Sequence, residues 1–255
     1  MRIVSWNVFF KNKKIKKGIR SILSLDPDVI CLQEVPNNIM PWLSSLPGYT
    51  VSSCFDWKHK QKDTQHAYVC TLTKNKPVRV ESHVYDNGFS NSLLTKAYAS
   101  ILHNEEQHMV LVITLTVRGK RIQIANTRLS CAIGTHDRLQ ELQTLIKKTK
   151  RLSIPTIYCG DFNVIDNKLV NRLTGWMRGY KHLDYLLDER GAFEELYRKE
   201  KLINIFRGKS TTIVNRPIIQ LDHILTPFIY PIISHELSRK RYGSDHKILF
   251  ASIKI

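Results

Sequence analysis

Polar residues able to bind a hard cation or a phosphate stand at the ends of apolar runs throughout this chain. Asn7 closes Ser5-Trp6-Asn7 and Glu34 closes Leu32-Gln33-Glu34. Asp161 and Asn163 lie in Gly160-Asp161-Phe162-Asn163, Asp222 in Leu221-Asp222-His223, and Asp245-His246 follows Ser244. Apolar runs of this length read as buried strands. Polar residues where such strands end gather at one rim of a sheet. Carboxylates brought together there repel unless a divalent cation neutralises them. Carboxylate, amide and imidazole around Mg²⁺, with Mn²⁺ as the alternative, form a centre for cleaving phosphate esters.

The strongest local signal is Gly160-Asp161-Phe162-Asn163. Glycine lets the backbone turn tightly and approach a ligand. The carboxylate and the amide sit two positions apart, so both can address one phosphate. Gly, Asp and Asn are also ordinary turn residues, so the tetrad alone is only moderately specific. Glu34 follows buried residues and precedes Val-Pro, and its carboxylate suits Mg²⁺ or Mn²⁺. Asp222 is the candidate partner of His246, because a bonded carboxylate fixes the imidazole tautomer and holds positive charge near phosphate. His223, His235 and most of the ten histidines read as structural or surface residues. No zinc-type cluster surrounds His246, and neither a GxSxG elbow nor a GxxxxGK[ST] loop is present. Arg207-Gly208-Lys209-Ser210-Thr211 reads as a basic loop.

These residues need a scaffold. Strands are predicted over 2–9, 29–32, 68–72, 78–84, 97–102, 110–117, 121–125, 154–159, 218–225, 229–235 and 247–255. Arg118-Gly119-Lys120 predicts a hairpin, and Asp86-Asn87-Gly88 another turn. An amphipathic helix runs through Ile15, Ile19, Ile22 and Leu23, and a short one carries Met40, Trp42 and Leu43. Thr135 is read as the N-cap of a helix with Leu139, Leu142, Leu145 and Ile146 on its apolar face. Segments 180–189 and 191–203 have helical character, and 208–217 reads as loop. Strands and helices mixed in this way suggest two facing sheets with helices outside.

The chain has 255 residues with 42% apolar content, enough for one domain with a sizeable core. Its formal net charge is +17, from 39 Lys and Arg against 22 Asp and Glu. Such an excess favours polyanions, without separating nucleic acid from an anionic lipid surface. Five scattered cysteines without a CxxC pair argue against a disulfide framework. Met1-Arg2-Ile3-Val4-Ser5-Trp6 lacks a signal-peptide core, and no apolar stretch is long enough for a bilayer. The expectation is an intracellular, soluble, monomeric protein of the cytoplasm or nucleus.

The ordered set Ser5-Trp6-Asn7, Leu32-Gln33-Glu34, Asn126-Thr127-Arg128-Leu129, Gly160-Asp161-Phe162-Asn163, Leu221-Asp222-His223 and Ser244-Asp245-His246 resembles the endonuclease/exonuclease/phosphatase superfamily, the DNase I-like group. Arg138-Leu139-Gln140 is similar to that family's pattern too. The resemblance covers essentially the whole chain. It implies a four-layer α/β sandwich, two facing mixed β-sheets flanked by helices. It implies that Glu34 holds the metal with Asn7 beside it, and that Asp245 completes the metal or water network. Asp161 would orient or deprotonate the attacking water, and Asn163 would position it. His246, paired with Asp222, would bind the phosphate oxygens. Asn126 and Arg128 would bind substrate phosphate. Many relatives have His where this chain has Arg128. Arginine can grip a phosphate bidentately but cannot donate a proton near neutral pH.

The reading is metal-dependent hydrolysis of a phosphodiester, with nucleic acid, DNA in preference to RNA, as the partner. Basic residues follow or flank the motifs: Lys11, Lys13, Lys14, Lys16 and Lys17; Lys58, Lys60 and Lys62; Lys209, Arg216, Arg239, Lys240 and Arg241. Trp57, Phe55, Phe206 and Tyr242 are candidates for stacking on bases. The alternatives are a phosphoinositide phosphatase or sphingomyelinase-like phosphohydrolase, and a nucleic-acid-binding relative without activity. The Pro-Asn-Gly element of apurinic-site endonucleases is not evident after Leu129.

Overall fold

The computed structural model describes residues 1–59, 62–85, 104–131, 133–151, 154–165, 167–214 and 218–255. Among them, the strands are β1 (Arg2–Asn7), β2 (Val29–Pro36), β3 (Thr50–His59), β4 (Lys62–Thr73), β5 (Arg79–Val84), β6 (Asn104–Glu106), β7 (Met109–Val117), β8 (Lys120–Arg128), β9 (Thr156–Asp161), β10 (Leu202–Asn204), β11 (Asp222–Pro227), β12 (Ile232–Leu237) and β13 (Leu249–Ile253). The helices are α1 (Ile15–Leu23), α2 (Met40–Ser44), α3 (Thr135–Thr149), α4 (Lys168–Thr174) and α5 (Glu189–Lys199). One sheet has seven strands in the order β12-β13-β1-β2-β4-β3-β6, and the other six in the order β10-β11-β9-β8-β7-β5.

Both sheets are mixed. β1–β2 and β8–β9 are parallel, and the remaining pairs are antiparallel. Strand residues alternate between two apolar environments, which is why the central strands read as continuous apolar runs. Ile3, Cys31, Ile124, Ile157, Cys159 and Ile224 fill the space between the sheets. Val4, Trp6, Ile30 and Leu32 point the other way, under Ile15, Ile19 and Ile22 of α1. Ala125 and Tyr158 do the same on the second sheet, under Leu142, Leu145 and Ile146 of α3 and Phe193 and Tyr197 of α5. The result is the helix–sheet–sheet–helix sandwich expected from the sequence.

The 118–119 hairpin is present, with Val117 paired to Lys120 and positive φ at Arg118 (50°) and Gly119 (78°). That is the geometry of a tight two-residue turn whose twist matches the strands. Other elements differ from the reading of the sequence. β3 was not predicted, because its polar residues, among them Ser52, Ser53 and Asp56, break any apolar run. β2 runs on to Pro36 through an irregularity between Leu32 and Val35, rather than ending near residue 32. The cap of α3 is Gly134, one residue earlier than Thr135. Residues 182–186 form a 3-10 turn, and α5 is followed by the edge strand β10 instead of continuing to 203. The strand expected at 97–102 and the turn Asp86-Asn87-Gly88 lie outside the described residues. No helix among those described is long and apolar enough to cross a membrane.

Candidate active site

Strand direction brings the polar motifs together. β1, β2, β8 and β9 end at one rim, while β11 and β13 begin there. Register places Asn7 opposite Gln33, Arg128 opposite Asp161, and Asp222 opposite Asp161. The two sheets are bolted at this rim by buried amides. Gln33 Nε2 donates to Asn126 Oδ1 at 2.7 Å. Asn126 Nδ2 donates to Cys70 O (2.8 Å), Thr71 Oγ1 (3.1 Å) and Leu32 O (3.3 Å). Asn126 is therefore fully buried and committed to the other sheet, which corrects the expectation that it binds phosphate.

Asn7 is the junction of the centre. Its Nδ2 donates to Asp161 Oδ2 (2.9 Å) and Glu34 Oε1 (3.1 Å), and its Oδ1 accepts from Phe9 N (3.0 Å). Glu34 adopts φ 55°, which turns it out of the strand at the β2 irregularity, and Asn163 adopts φ 53°. Such conformations are costly for non-glycine residues and cluster at functional sites. Asn163 N donates to Asp161 Oδ1 (3.0 Å) and its Nδ2 to Leu129 O (2.7 Å). Gly160 is required by close packing, since a Cβ there would lie 1.9 Å from Thr127 O at φ +147°.

On the other side, His246 Nδ1 contacts Asp222 Oδ2 at 2.9 Å and Oδ1 at 3.1 Å. His246 Nε2 lies 3.9 Å from Asp161 Oδ2 and 3.8 Å from Asp245 Oδ1. Ser244 Oγ donates to Asn7 O at 2.7 Å, fixing the Ser244-Asp245-His246 turn to the end of β1. Asp222 N in turn donates to Thr211 Oγ1, so the loop read as merely basic helps seat the pair.

These contacts set the charges. Burial raises Asp161 to about 7; His246 opposes that rise and Asp222 adds to it. Burial also works against protonated His246, but Asp222 and Asp161 outweigh it and lift the imidazole to about 10. His246 is thus an imidazolium at neutral pH, held by Asp222 and aimed at Asp161. His223 is the contrast: burial drives it down to about 3, and it stacks on Phe162 at 4.9 Å as a core residue.

Asp161, Asp222 and His246 each offer one ligand atom, all within 4.8 Å of one another. A protonated imidazole has no free lone pair for a metal, and two carboxylates facing one imidazolium leave this trio short of positive charge. Two further carboxylates border the centre, Glu34 on the Asn7 side and Asp245 beside His246. Among the described residues Asp245 Oδ1 is buried without a hydrogen-bond partner, which is what an oxygen ligand for a hard cation looks like in its absence.

Arg128 is 8% exposed, and its Nε contacts both oxygens of Asp56 at 3.1 Å. Asp56 escaped the reading of the sequence together with β3; its signal was an acid between the large apolar residues Phe55 and Trp57. Ser244, Gln33 and Thr211 were missed as supports because hydroxyl and amide side chains carry no spacing pattern. Arg138 is fully buried, bonds Ser130 O, Cys131 O and Ile133 O, and pairs with Glu189 at 2.5 Å. It shapes the loop after β8, away from the reacting atoms.

Of the proposed stacking residues, Trp57 (3% exposed) and Phe206 (0%) belong to the core and cannot meet a base. Phe55 packs on Tyr68 and His66. Lys60, Arg216 and the side chains of His59 and Lys62 lie outside the described residues.

Residues 4–246 match the Endonuclease/Exonuclease/phosphatase family. The chain belongs to that family. Solved structures agree in fold. An endonuclease/exonuclease/phosphatase from Beutenbergia cavernae is similar at 13% identity and a TM-score of 0.75, over 100% of this chain and 71% of that one. The catalytic domain of human Nocturnin, with a bound sulfate anion, is similar at 19% identity and 0.70, over 100% and 94%. D. rerio TDP2, complexed with a single-strand DNA product, is similar at 16% identity and 0.64, over 100% and 99%. No curated protein matches the chain by sequence. Members of the Endonuclease/Exonuclease/phosphatase family are generally hydrolases of phosphoester bonds.

Proposed function

We propose that this chain is a divalent-metal-dependent phosphodiesterase that hydrolyses nucleic acid. The observation that carries the reading is the buried Asp161 carboxylate, bonded to Asn7 and faced by the Asp222-held imidazolium of His246. Glu34, Asn7 and Asp245 would hold the cation, which when bound supplies positive charge to a phosphate oxygen. Asp161, raised by burial to about 7, is suited to aim a water at phosphorus and take its proton. Asn163 orients that water. His246 presents Nε2 to the phosphate oxygens and offsets charge that grows in the transition state. Arg128 adds a fixed positive charge and cannot act as the acid. In-line displacement needs positioning and electrostatics more than covalent chemistry, and these side chains supply both.

The net charge of +17 supports nucleic acid over a neutral substrate. So does the DNA product in the TDP2 neighbour, as analogy only. The test is incubation with Mg²⁺ or Mn²⁺ and a panel of plasmid, labelled single strands, abasic duplex, poly(A) RNA, a 5′-tyrosyl end and phosphoinositide. Cleavage of a nucleic acid, abolished by EDTA and by Asp161→Ala, is the expected result. Phosphate release from the lipid alone, or nucleic-acid retention without product, replaces this reading with one of the alternatives.

A further inference from the structure

The cations of the first helix and of the C-terminal turn meet in one cavity. Spacing on α1 divides its basic residues between two faces. Lys16 and Arg20 lie over the Trp42 ring, at 5.5 and 5.9 Å from its centroid. Lys14, just before α1, and Lys17, with Ser21 one turn on, line a cavity of about 810 Å³ on another face. Its other wall is the turn Arg239-Lys240-Arg241, and Asp245 of the proposed metal site stands at its end.

The walls are joined, not merely adjacent. Tyr242 Oη and Ser21 Oγ are 2.6 Å apart. Gly243, at φ +89°, lets the turn lie against Asn12, where a Cβ would come within 2.4 Å of Asn12 Oδ1. Asn12 is itself fixed to Val8 O and Lys14 N. Five cations thus share one space, and among the described residues none of them forms an ion pair with a carboxylate. Like charges held together cost free energy that a polyanion in the space would recover. The volume lies toward the upper end of that for ligand clefts, roughly 300–1,000 Å³, room for a few nucleotides of one strand.

We infer that this cavity is the track for the phosphodiester chain on one flank of the scissile phosphate, with α1 and the 239–241 turn gripping consecutive phosphates from two sides. The inference rests on reading the rim as a phosphodiesterase centre, and it adds where the strand leaves that centre. Phosphates held by lysine and arginine set register and affinity without reading bases, so the track is indifferent to sequence. Ser244, bonded to Asn7 O, joins the end of the track to the reacting atoms.

The test uses the full chain with Lys17→Ala, Arg239→Ala and Lys240→Ala combined. All three side chains are exposed, and an unchanged melting curve confirms the fold. Binding of a labelled single-stranded oligonucleotide is measured in EDTA across a salt series. The expected result is a loss on the order of tenfold or more in low salt, with the log–log salt slope shallower by about 2, at ~0.7 per cation removed. Separately, kcat/KM for a long oligonucleotide relative to a dinucleotide should fall. Unchanged affinity, slope and ratio overturn the track while leaving the phosphodiesterase reading standing. Tighter binding of inositol hexakisphosphate than of the oligonucleotide in the wild type, lost in the variant, overturns the strand as occupant. Absence of cleavage of every nucleic acid, with binding lost as expected, defeats the proposed function and leaves the cavity as a strand-binding surface.

Discussion

Two buried carboxylates, Asp161 and Asp222, share one imidazolium, so the centre is short of positive charge. A proton on Asp161 makes up the deficit below about pH 7, and a cation near Asn7 and Glu34 would make it up above. Metal binding should therefore release a proton around neutrality, and affinity should fall as the pH drops below about 7. Titration calorimetry in buffers of different ionisation enthalpy checks this; buffer-independent heats contradict it. For stability the sign is that of raised values. The His246 contribution is fully present below its ordinary 6.5 and is lost as the pH rises through about 10. Metal-free protein should melt at lower temperature across that window, and His246→Gln should flatten the dependence. Asp161, raised from 3.8 to about 7, loses its contribution over that lower window, so the two slopes have the same sign. Asp56→Ala removes the carboxylate facing a buried guanidinium and should cost about 3–5 kcal/mol in denaturant unfolding.

At the scale of elements, the motifs that end strands were legible because an apolar run followed by an acid is visible in a linear sequence. Glu34 and Asp161 are examples. Asp56 was not legible, since β3 is stabilised by pairing with β4 and not by its own pattern. Nor was the fate of Asn126 readable: its motif is that of a site residue, yet its amide spans the sheets. The short α4 and the 3-10 turn at 182–186 carry exposed Leu169, Leu173 and Leu186, so no amphipathic stripe marked them. The β8–β9 contact yields a direct prediction. Gly160→Ala forces a methyl against Thr127 O and should cost at least about 3 kcal/mol. Activity should fall with it, because Asp161 is the next residue; a variant as stable and active as wild type contradicts the packing.

Over the whole molecule, the positive charge is not evenly useful. Lys14 and Lys17 face the cavity beside Asp245, whereas Lys16 and Arg20 cover Trp42. Charge-reversing Lys16 and Arg20 should change polyanion binding less than reversing Lys14 and Lys17, a comparison read from salt slopes. The global excess of +17 was plain in the composition, but its division between a ligand face and a packing face needed the helix.

The Met1 amine donates to Ile253 O at 2.7 Å, and β13 lies against β1. The centre thus draws Asn7 and His246 from segments far apart in the sequence, brought side by side by this pairing. Without residues 245–253 the centre has neither Asp245 nor His246, and β1 has one edge unpaired. Completion of the site therefore depends on the β1–β13 pairing. Met1 and Ile253 lie at the opposite end of these strands from Asn7, so joining residues 1 and 255 by a short linker and opening the chain elsewhere leaves the rim around Asn7 untouched.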